Sequence, residues 1–378
     1  MVKKTFALLL VVAMTLSMVA CGTSQPAATE APAPQTPAET EAAAAVETPV
    51  EETKEVPEVS TITWARANSG NIFVTLATQL GYFEEYGLKV VEAPVASSTE
   101  ALTALGAGQV DVTSNQGTNN PLAQIAAGQD FTIVGGYMLQ GMYLVAKTGT
   151  GWNGPADLIG KKVAAPASTT TITGPLLDLG YDPIKDVEWL TYSTNSDRLS
   201  AVIAGEADYA YLSGDMLFTV GNNPEVEIVR FASDPDLSPA YGCCRMNMRT
   251  EFVKKNPITV KLMLKALIRA QAYFEANVDE CVGILANEIG ASEEYVAAYL
   301  KNPNYKIAVD PVKNSVLKTW EVMSATGFLP EGSENLDIES HINTELYETA
   351  LNEVIAEHGD EYPEFFAERL AFFDQYNK

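Results

Sequence analysis

The chain has 378 residues, a formal net charge of −25 and a sequence pI near 4.4, and its length suits about two domains. The excess of acid over base excludes a protein that follows phosphate backbones or docks electrostatically on anionic lipid, because both functions need a basic surface. Two His and four Cys are too few and too scattered for a zinc module.

The first 21 residues have the pattern of an export signal. Lys3 and Lys4 precede an apolar run, residues 6–20, that is too short to span a membrane. The run ends in Met-Val-Ala-Cys, which resembles a bacterial lipobox whose cysteine, here Cys21, carries acyl chains such as palmitate. The alternative is an ordinary signal peptide with Cys21 incidental. We expect a protein held by lipid on the extracytoplasmic face of the cell membrane.

Residues 22–58 have the composition of a flexible tether. They consist mainly of Ala, Pro, Thr and Glu, with eight Glu and one Lys. Such a segment has too little apolar surface to compensate for the entropy lost on ordering, so we expect it to be disordered. As a flexible chain it would span ~35 Å, and proline and charge repulsion would lengthen it.

The region from residue 61 to residue 214 contains an internal duplication. Residues 99–117 (TEALTALGAGQVDVTSNQG) match residues 196–214 (SDRLSAVIAGEADYAYLSG) at a constant offset of 97. Upstream, residues 65–82 match residues 164–181 at an offset of 99, and both blocks end in Leu-Gly-Tyr. Two contiguous blocks in register favour a duplicated folding unit over chance similarity.

Each copy has the pattern strand–helix–strand–helix–strand. The strands are predicted at 61–67, 88–92 and 110–113 in the first copy, and at 162–166, 187–190 and 207–211 in the second. The first helix of each copy ends before Gly81 or Gly180, which suits the left-handed position after a helix. Strands that alternate with helices predict parallel pairing. Ligands bind at the carboxyl ends of such strands, so we expect a ligand cleft between the polar loops of the two copies.

Three segments resemble a known family. They are LGYFEEYGLKV at 80–90, AGQVDV at 107–112 and DLIGKKV at 157–163. They are similar to segments of the binding proteins that serve ABC importers of nitrate, sulfonates, taurine and thiamine-type pyrimidines. The resemblance covers roughly residues 60–330 and implies an α/β, two-lobed periplasmic-binding-protein-like fold of type II, in which each lobe is a mixed, mostly parallel sheet flanked by helices.

The resemblance also implies the lobe boundaries. Lobe I would comprise residues 59–143 plus 245–378, and lobe II residues 144–244, with hinge crossings at 143–146 and 241–248. Helices are predicted to begin at Asn256-Pro257 and at Ser292. Residues 331–378 have the pattern of amphipathic acidic helices, which we assign to covering lobe I.

The function implied is that of an extracytoplasmic receptor, not an enzyme, which closes on a small organic ligand and delivers it to a permease. We expect a monomer without cofactor or metal, whose partners are the ligand, the ABC permease subunits and, through Cys21, the membrane, but no nucleic acid. One alternative is an enzyme similar to thiamine-pyrimidine synthases, which would need a His- and Cys-rich iron centre. The other is an extracytoplasmic sensor domain, which would need a signalling module or second membrane span after residue 330.

The candidate ligand-binding residues are polar and aromatic side chains near the strand ends. They are Trp64, Asn68, Ser69, Asn71, Ser114, Asn115, Gln116 and Tyr137 in lobe I, and Ser168, Thr169, Thr170, Tyr192, Tyr211 and Ser213 in lobe II. The alternative is that the polar members only cap helices and the aromatic members belong to the core. Together they favour a pyrimidine or other heteroaromatic ligand over a sulfonate- or taurine-like anion.

Arginine and cysteine residues complete the candidates. Arg245, in the second crossing, has a guanidinium suited to a carboxylate, sulfonate or ring oxygen, the alternative being a structural ion pair. Arg198 is expected on an exposed helix face. We expect Cys243 and Cys244 to be buried, unreactive thiols, since adjacent side chains on a strand point to opposite faces and a disulfide between neighbours is strained. Cys281 is a possible partner for either.

Overall fold

The computed structural model describes residues 55–67, 70–238 and 241–378. The predicted signal peptide, Cys21, most of the tether and the candidates Asn68 and Ser69 lie outside the described residues.

The last residues assigned to the tether, 55–58, lie against the folded part. A carboxylate oxygen of Glu55 is 2.6 Å from Nζ of Lys261, and Glu58 accepts hydrogen bonds from the backbone N–H and the hydroxyl of Thr259. These contacts compensate for the entropy of ordering the segment. The tether prediction therefore extended four residues too far.

The strands and α-helices of the described residues are numbered in chain order. The strands are β1 (Thr61–Arg66), β2 (Lys89–Pro94), β3 (Val112–Thr113), β4 (Phe131–Gly136), β5 (Met138–Gln140), β6 (Tyr143–Lys147), β7 (Lys162–Ala164), β8 (Glu188–Leu190), β9 (Tyr209–Leu212), β10 (Val226–Phe231), β11 (Arg245–Arg249) and β12 (Lys306–Ile307). The helices are α1 (Ile72–Gln79), α2 (Tyr82–Glu85), α3 (Ser98–Gly106), α4 (Asn119–Ala126), α5 (Thr170–Asp178), α6 (Pro183–Asp186), α7 (Asn195–Ala204), α8 (Leu217–Gly221), α9 (Thr250–Lys255), α10 (Pro257–Ala276), α11 (Val278–Ile289), α12 (Glu293–Leu300), α13 (Lys313–Ala325), α14 (Glu345–His358) and α15 (Pro363–Asn377).

Two five-stranded sheets carry the duplicated topology. Their strand orders are β2-β1-β3-β11-β4 and β8-β7-β9-β6-β10. In each sheet the first strand of a copy lies between the second and third strands of that copy, and all three run parallel. The two remaining strands of each sheet pair antiparallel. The predicted two-lobed α/β fold is confirmed.

The repeated Asp explains part of the sequence match between the copies. Asp111 accepts a hydrogen bond from the backbone N–H of Thr63 at 2.9 Å, and its equivalent Asp208 accepts one from Lys162 at 2.8 Å. The backbone N–H of Asp111 also donates to the carbonyl of Thr63, and that of Asp208 donates to the carbonyl of Lys162. The side chain thus fixes the start of the third strand of each copy against the first strand.

The predicted helix ends are also confirmed. Gly81 and Gly180, which follow the first helix of each copy, have φ of +77° and +87°. This left-handed conformation is the one that glycine adopts at no steric cost. At the opposite end of α1, the Asn71 side chain accepts hydrogen bonds from the N–H groups of Phe73 and Val74, which orients the loop that leads into the helix.

The first predicted crossing segment and the second half of the other are strands rather than connectors. Residues 143–146 lie in β6, which is buried between β9 and β10 of the second sheet, and Arg245–Arg249 form β11 in the first sheet. A strand hydrogen-bonded on both sides does not flex freely. The chain passes between the lobes through residues 137–142 and returns through the segment that ends at Cys244.

The C-terminal half packs on the first sheet and reaches lobe II. Helix α10 is 20 residues long and contacts α1, α2 and α14, while the Nζ of Lys265 lies 2.6 Å from Glu357 of α14. Helix α13 contacts α4, α15 and, in lobe II, α5. None of the helices in the described ranges combines the length and apolar character needed to cross a membrane.

Candidate functional site

A cavity of about 680 Å³ lies between the two sheets, and we call it the cleft. Its walls come from the segments that follow β1, β2, β3 and β4 in lobe I and β9 in lobe II, together with the second crossing and helix α12. These are the carboxyl ends of the parallel strands, where open α/β sheets place their ligands. The volume is in the range of small-molecule sites.

The predicted residues of lobe I form two groups, those that line the cleft and those that are buried behind its wall. Asn115, Gln116 and Tyr137 line the cleft. Trp64, Asn71 and Ser114 are buried behind the wall: Trp64 Nε1 and Asn71 Nδ2 donate to Ser114 Oγ at 3.2 and 3.0 Å. Ser114 Oγ in turn donates to Asn115 Oδ1 at 2.6 Å. This network fixes the loop after β3, so its members position the wall.

Gln116 lines the cleft and has an unpaired, buried hydrogen-bond acceptor. The residue is 3% exposed, and its Oε1 has no hydrogen-bond partner within the described residues. Its own carbonyl is held by Asn120 Nδ2 at 2.7 Å. An unpaired buried polar atom costs free energy. A ligand N–H or O–H group in the cleft would remove that cost.

The lobe II wall contains one cation and one anion, Arg198 and Asp215. Ser213 donates its hydroxyl to Asp215, and Asn195 Nδ2 lies 3.3 Å from the same carboxylate. Arg198 donates to Asn195 Oδ1 and to the carbonyl of Tyr211, each at 3.3 Å. Burial lowers the pKa of Arg198, and Asp215 opposes that shift.

The position of Arg198 differs from the prediction. The side chain is half-buried in the cleft wall, where α7 turns it toward the end of β9, rather than on an exposed face of the helix. Its hydrogen bonds to backbone carbonyls close that face to solvent. Sequence periodicity did not indicate this, because two of the three partners are backbone carbonyls outside α7, those of Tyr192 and Tyr211.

Four tyrosines form an aromatic wall of the cleft: Tyr137, Tyr295, Tyr299 and Tyr305. The ring centroids of Tyr295 and Tyr299 are 5.8 Å apart and those of Tyr299 and Tyr305 are 5.4 Å apart. Edge-to-face contacts of this kind fix ring orientation. Burial raises the pKa of Tyr137 to about 12, so the phenol is neutral and can donate a hydrogen bond.

Sequence reasoning predicted only Tyr137 among these. Tyr295 and Tyr299 lie on α12, and Tyr305 follows it, all more than 75 residues beyond the end of the duplicated region. The signal that indicates them is the spacing of Tyr295 and Tyr299, which places both on one face of a helix.

Cys243 and Cys244 both line the cleft, and their sulfur atoms are 3.6 Å apart. The prediction that the two cysteine side chains point to opposite faces is therefore wrong. The pair precedes β11, in a segment without strand pleating, so the alternation rule does not apply. Both thiols are free and buried, as is Cys281, which lies elsewhere on α11.

Arg245 lies behind the cleft and not in its wall. The residue is 0% exposed, and its guanidinium donates to the backbone carbonyls of Asp310 at 2.6 Å and Met138 at 3.0 Å. Burial lowers its pKa to about 10. The side chain ties β11 to the segments before α13 and after β4. This placement matches neither the predicted ligand contact nor an ion pair.

The remaining lobe II candidates lie beside the cleft. Ser168 accepts a hydrogen bond from Asn119 of lobe I through its carbonyl, and Thr170 lies against the same residue. Thr169 bonds the carbonyl of Pro166, Tyr192 approaches Glu206, and Tyr211 accepts a hydrogen bond from Thr171 at 2.6 Å. None of these five lines the cleft. The Ser168 and Thr170 contacts join the two lobes at one side of it.

A larger concavity of about 950 Å³ lies between the end of α10, the start of α11 and α15. Strands β5 and β12 contribute to its lining, but it lies away from the carboxyl ends of the parallel strands, and Tyr305 lines both spaces. The cleft is therefore the candidate ligand site. Within the described residues, no group of three or more His, Cys, Asp or Glu side chains is arranged to hold a metal ion.

Sequence comparison supplies the family of the chain. Residues 68–281, more than half of the chain, match the family model described as NMT1/THI5-like. The chain belongs to the NMT1/THI5-like family. None of the curated proteins matches the sequence.

Solved structures similar to this NMT1/THI5-like protein show the same fold at low sequence identity. The periplasmic aliphatic sulphonate binding protein SsuA from Escherichia coli is 20% identical with a TM-score of 0.61, over 72% of this chain and 89% of that one. The periplasmic nitrate-binding protein NrtA from Synechocystis PCC 6803 is 17% identical with a TM-score of 0.64, over 82% and 92%. A putative SsuA from Methylobacillus flagellatus KT is 17% identical with a TM-score of 0.63, over 80% and 97%.

Proposed function

We propose that this protein is the extracytoplasmic solute receptor of an ABC importer, which captures a small organic molecule in the cleft. The observation that carries the proposal is the unpaired Oε1 of Gln116 in the wall of a cavity bounded by both lobes. The periplasmic binding proteins of similar fold bind sulfonates and nitrate, which supports a transport role. Closure of the lobes would complete the ligand contacts from both sides.

The charge of the cleft supports an uncharged ligand over an anion. Within the described residues, the charged side chains of the wall are Arg198 and Asp215, which carry opposite charges. The two terminal nitrogens of Arg198 donate to protein acceptors, and its Nε has no partner within the described residues. A sulfonate or nitrate would meet a cation whose charge Asp215 offsets, whereas the aromatic wall suits a flat ring. We propose a neutral heteroaromatic compound, such as a pyrimidine, as the ligand.

The cleft supports binding rather than catalysis. Its described wall contains a single carboxylate, Asp215, and no His. His341 lies beside the carbonyl of Phe131 and His358 beside Glu361, both away from the cleft. An iron-dependent pyrimidine synthase would need a cluster of such side chains around its substrate.

We also propose that acylation of Cys21 anchors the receptor to the membrane. The chain enters the folded part at the N-terminus of α10, where Glu58 accepts hydrogen bonds from the helix. The segment between Cys21 and that point has the composition of a flexible linker. Replacing Cys21 with Ala is expected to move the protein from the membrane fraction to the soluble extracytoplasmic fraction, and continued membrane retention would contradict the anchor.

A thermal-shift screen followed by calorimetry tests the ligand proposal. The panel contains pyrimidines and riboflavin against taurine, alkanesulfonates and nitrate. A ligand at 100 times its Kd adds ~2.7 kcal/mol to stability. We expect stabilisation by at least one neutral ring compound and none by the anions.

Gln116→Leu connects a hit to the cleft. The loss of one neutral hydrogen bond is worth about 1 kcal/mol, so the affinity should fall roughly fivefold. The melting temperature without ligand should not fall, because the side-chain oxygen has no described partner to lose and leucine removes an unpaired buried acceptor. Gln124→Leu, on the exposed face of α4, is the matched control and should bind normally. Tight binding of an anion, or equal affinities of the two variants, would overturn the assignment.

A further inference from the structure

The Cys243–Cys244 pair has a geometry that the transport proposal does not use. Both side chains line the cleft, and their sulfurs are 3.6 Å apart. The residues are 8% and 7% exposed. Two free thiols are thus in contact with each other in the wall of a space that admits small molecules.

The backbone holds the pair in this arrangement. The N–H of Cys244 donates to the carbonyl of Met138 at 2.9 Å, and the N–H of Cys243 donates to the carbonyl of Leu139 at 3.3 Å. The hydroxyl of Thr118 donates to the carbonyl of Cys243 at 3.0 Å. Because these bonds restrict the segment, little further conformational entropy is lost when the two sulfurs are joined.

The surroundings distinguish the two thiols. The neighbouring Cys243 side chain and the N–H of Gly117 favour the Cys244 thiolate and outweigh burial, which lowers the pKa of Cys244. The contact with Cys244 and burial raise the pKa of Cys243. The buried guanidinium of Arg245 favours the thiolate at both positions. Because the N–H of Gly117 reaches Cys244 and not Cys243, we assign Cys244 as the thiol that reacts first and Cys243 as the second thiol.

We propose that Cys243 and Cys244 form a reversible dithiol–disulfide site in the wall of the cleft, with a small-molecule disulfide as oxidant. The Cys244 thiolate attacks one sulfur of that disulfide, whose S–S bond breaks and releases one thiolate. Cys243 then loses its proton to water and attacks the Cys244 sulfur, which releases the second thiolate. The protein pair loses two electrons and two protons, and the external disulfide becomes two thiols.

A disulfide between the adjacent residues Cys243 and Cys244 closes a small ring, and we expect this disulfide to be easily reduced. Cα atoms of adjacent residues are about 3.8 Å apart, closer than the roughly 4.4–6.8 Å of ordinary disulfides. Strained disulfides have less negative reduction potentials than structural ones. The pair should therefore change state in response to the thiol and disulfide content of its surroundings.

Peptide mass spectrometry tests the site in the full chain carrying Cys21→Ser. The folded protein is incubated with cystamine, then denatured, alkylated and digested with trypsin. Cleavage after Arg230 and Arg245 places both cysteines in peptide 231–245 and leaves Cys281 in peptide 270–301. We expect peptide 231–245 to lose two hydrogens and both alkylation sites, and dithiothreitol to restore them, while Cys281 is alkylated throughout.

Single variants test the order of the steps. Cys243→Ser should stop at a cysteamine adduct on Cys244, and Cys244→Ser should react more slowly. Cys281→Ser should behave as the parent. The same protein unfolded in urea reports whether cystamine can close the ring without the fold. Full alkylation of peptide 231–245 from folded protein, or two cysteamine adducts on it, would overturn the proposal.

Discussion

Replacing Gly214 with Ala tests whether the two lobes close on a ligand. Gly214 follows β9 in lobe II, and the ring of Tyr305, from the segment after α12, lies directly against it. A Cβ atom at this glycine would be 2.8 Å from Cδ2 and 2.9 Å from Cε2 of Tyr305. The φ angle of Gly214 is not in the left-handed region, so alanine suits the backbone and the clash is confined to the contact between the lobes.

The expected loss of ligand affinity in Gly214→Ala follows from the cost of overpacking a contact. Forcing an extra methyl group into a packed contact costs about 1–3 kcal/mol, and that cost falls on the closed state alone if the lobes separate without ligand. The affinity should then fall about 5- to 150-fold, as measured by calorimetry with the compound that gives the largest thermal shift. The melting temperature of the ligand-free protein should change little, because opening relieves the clash.

Gly221→Ala is the matched control. It lies on α8 in the same lobe, and a Cβ there would meet nothing within 4 Å. This variant should bind the compound normally. If Gly214→Ala binds as tightly as Gly221→Ala, the contact with Tyr305 is not part of closure. If Gly214→Ala instead melts earlier without ligand and keeps its affinity, the clash is present in both states and the contact does not distinguish them.

Two further predictions concern stability. Arg245→Met should lower the free energy of unfolding by about 2 kcal/mol, because two buried carbonyls lose their donor. The ligand affinity should be unchanged. A normal denaturation midpoint together with weakened binding would show instead that Arg245 contacts the ligand. Glu58→Gln should cost about 1 kcal/mol at neutral pH. Burial works to raise the pKa of Glu58, but hydrogen bonds from Thr259 and Ile258 outweigh it and lower the pKa. The contribution is therefore present above the unfolded pKa and lost as pH falls through the folded value, so the stabilities of parent and variant should converge as denaturation series are taken below the folded pKa.

The fold could be predicted because its signals are local. A helix end needs a residue that tolerates positive φ, and Gly81 and Gly180 supply it at matching positions. A repeated Asp111 and Asp208 marks the same backbone contact twice. Signals of this kind depend on the residues next to them in sequence, and a duplication displays each of them in two contexts.

The site was only partly predictable because its walls join distant segments. Gln116 and Ser213 were found at the strand ends where they were expected. Tyr299 and Arg198 were not, since each reaches the cleft through packing against another element. The placement of Arg245 differs from the expectation for the opposite reason. Its position in the sequence borders the cleft, but its side chain is directed to backbone carbonyls behind β11.

The duplication explains how one scaffold supports two different walls. In lobe I, Asn71 at the start of α1 donates to Ser114 at the end of β3 at 3.0 Å. In lobe II, Thr171 at the start of α5 donates to Tyr211, the residue equivalent to Ser114, at 2.6 Å. Both bonds tie the first helix of a copy to its third strand. This tie joins the same two elements in both copies, although its donor and acceptor residues differ. The residues beyond it also differ between the copies.

Gln116 and Ser213 lie two residues beyond this tie, at equivalent positions, and both line the cleft. Gln116 presents a carbonyl oxygen with no described partner, and the hydroxyl of Ser213 is already donated to Asp215. The Ser213 oxygen already accepts a hydrogen bond from Asn195 Nδ2 at 2.6 Å, so Gln116 holds the free acceptor of the two. An anion would meet one cation in this wall, Arg198, whose charge Asp215 offsets. A ring with an N–H or amino group would instead donate to Gln116, which is why at least one neutral compound of the panel should bind and the sulfonates should not.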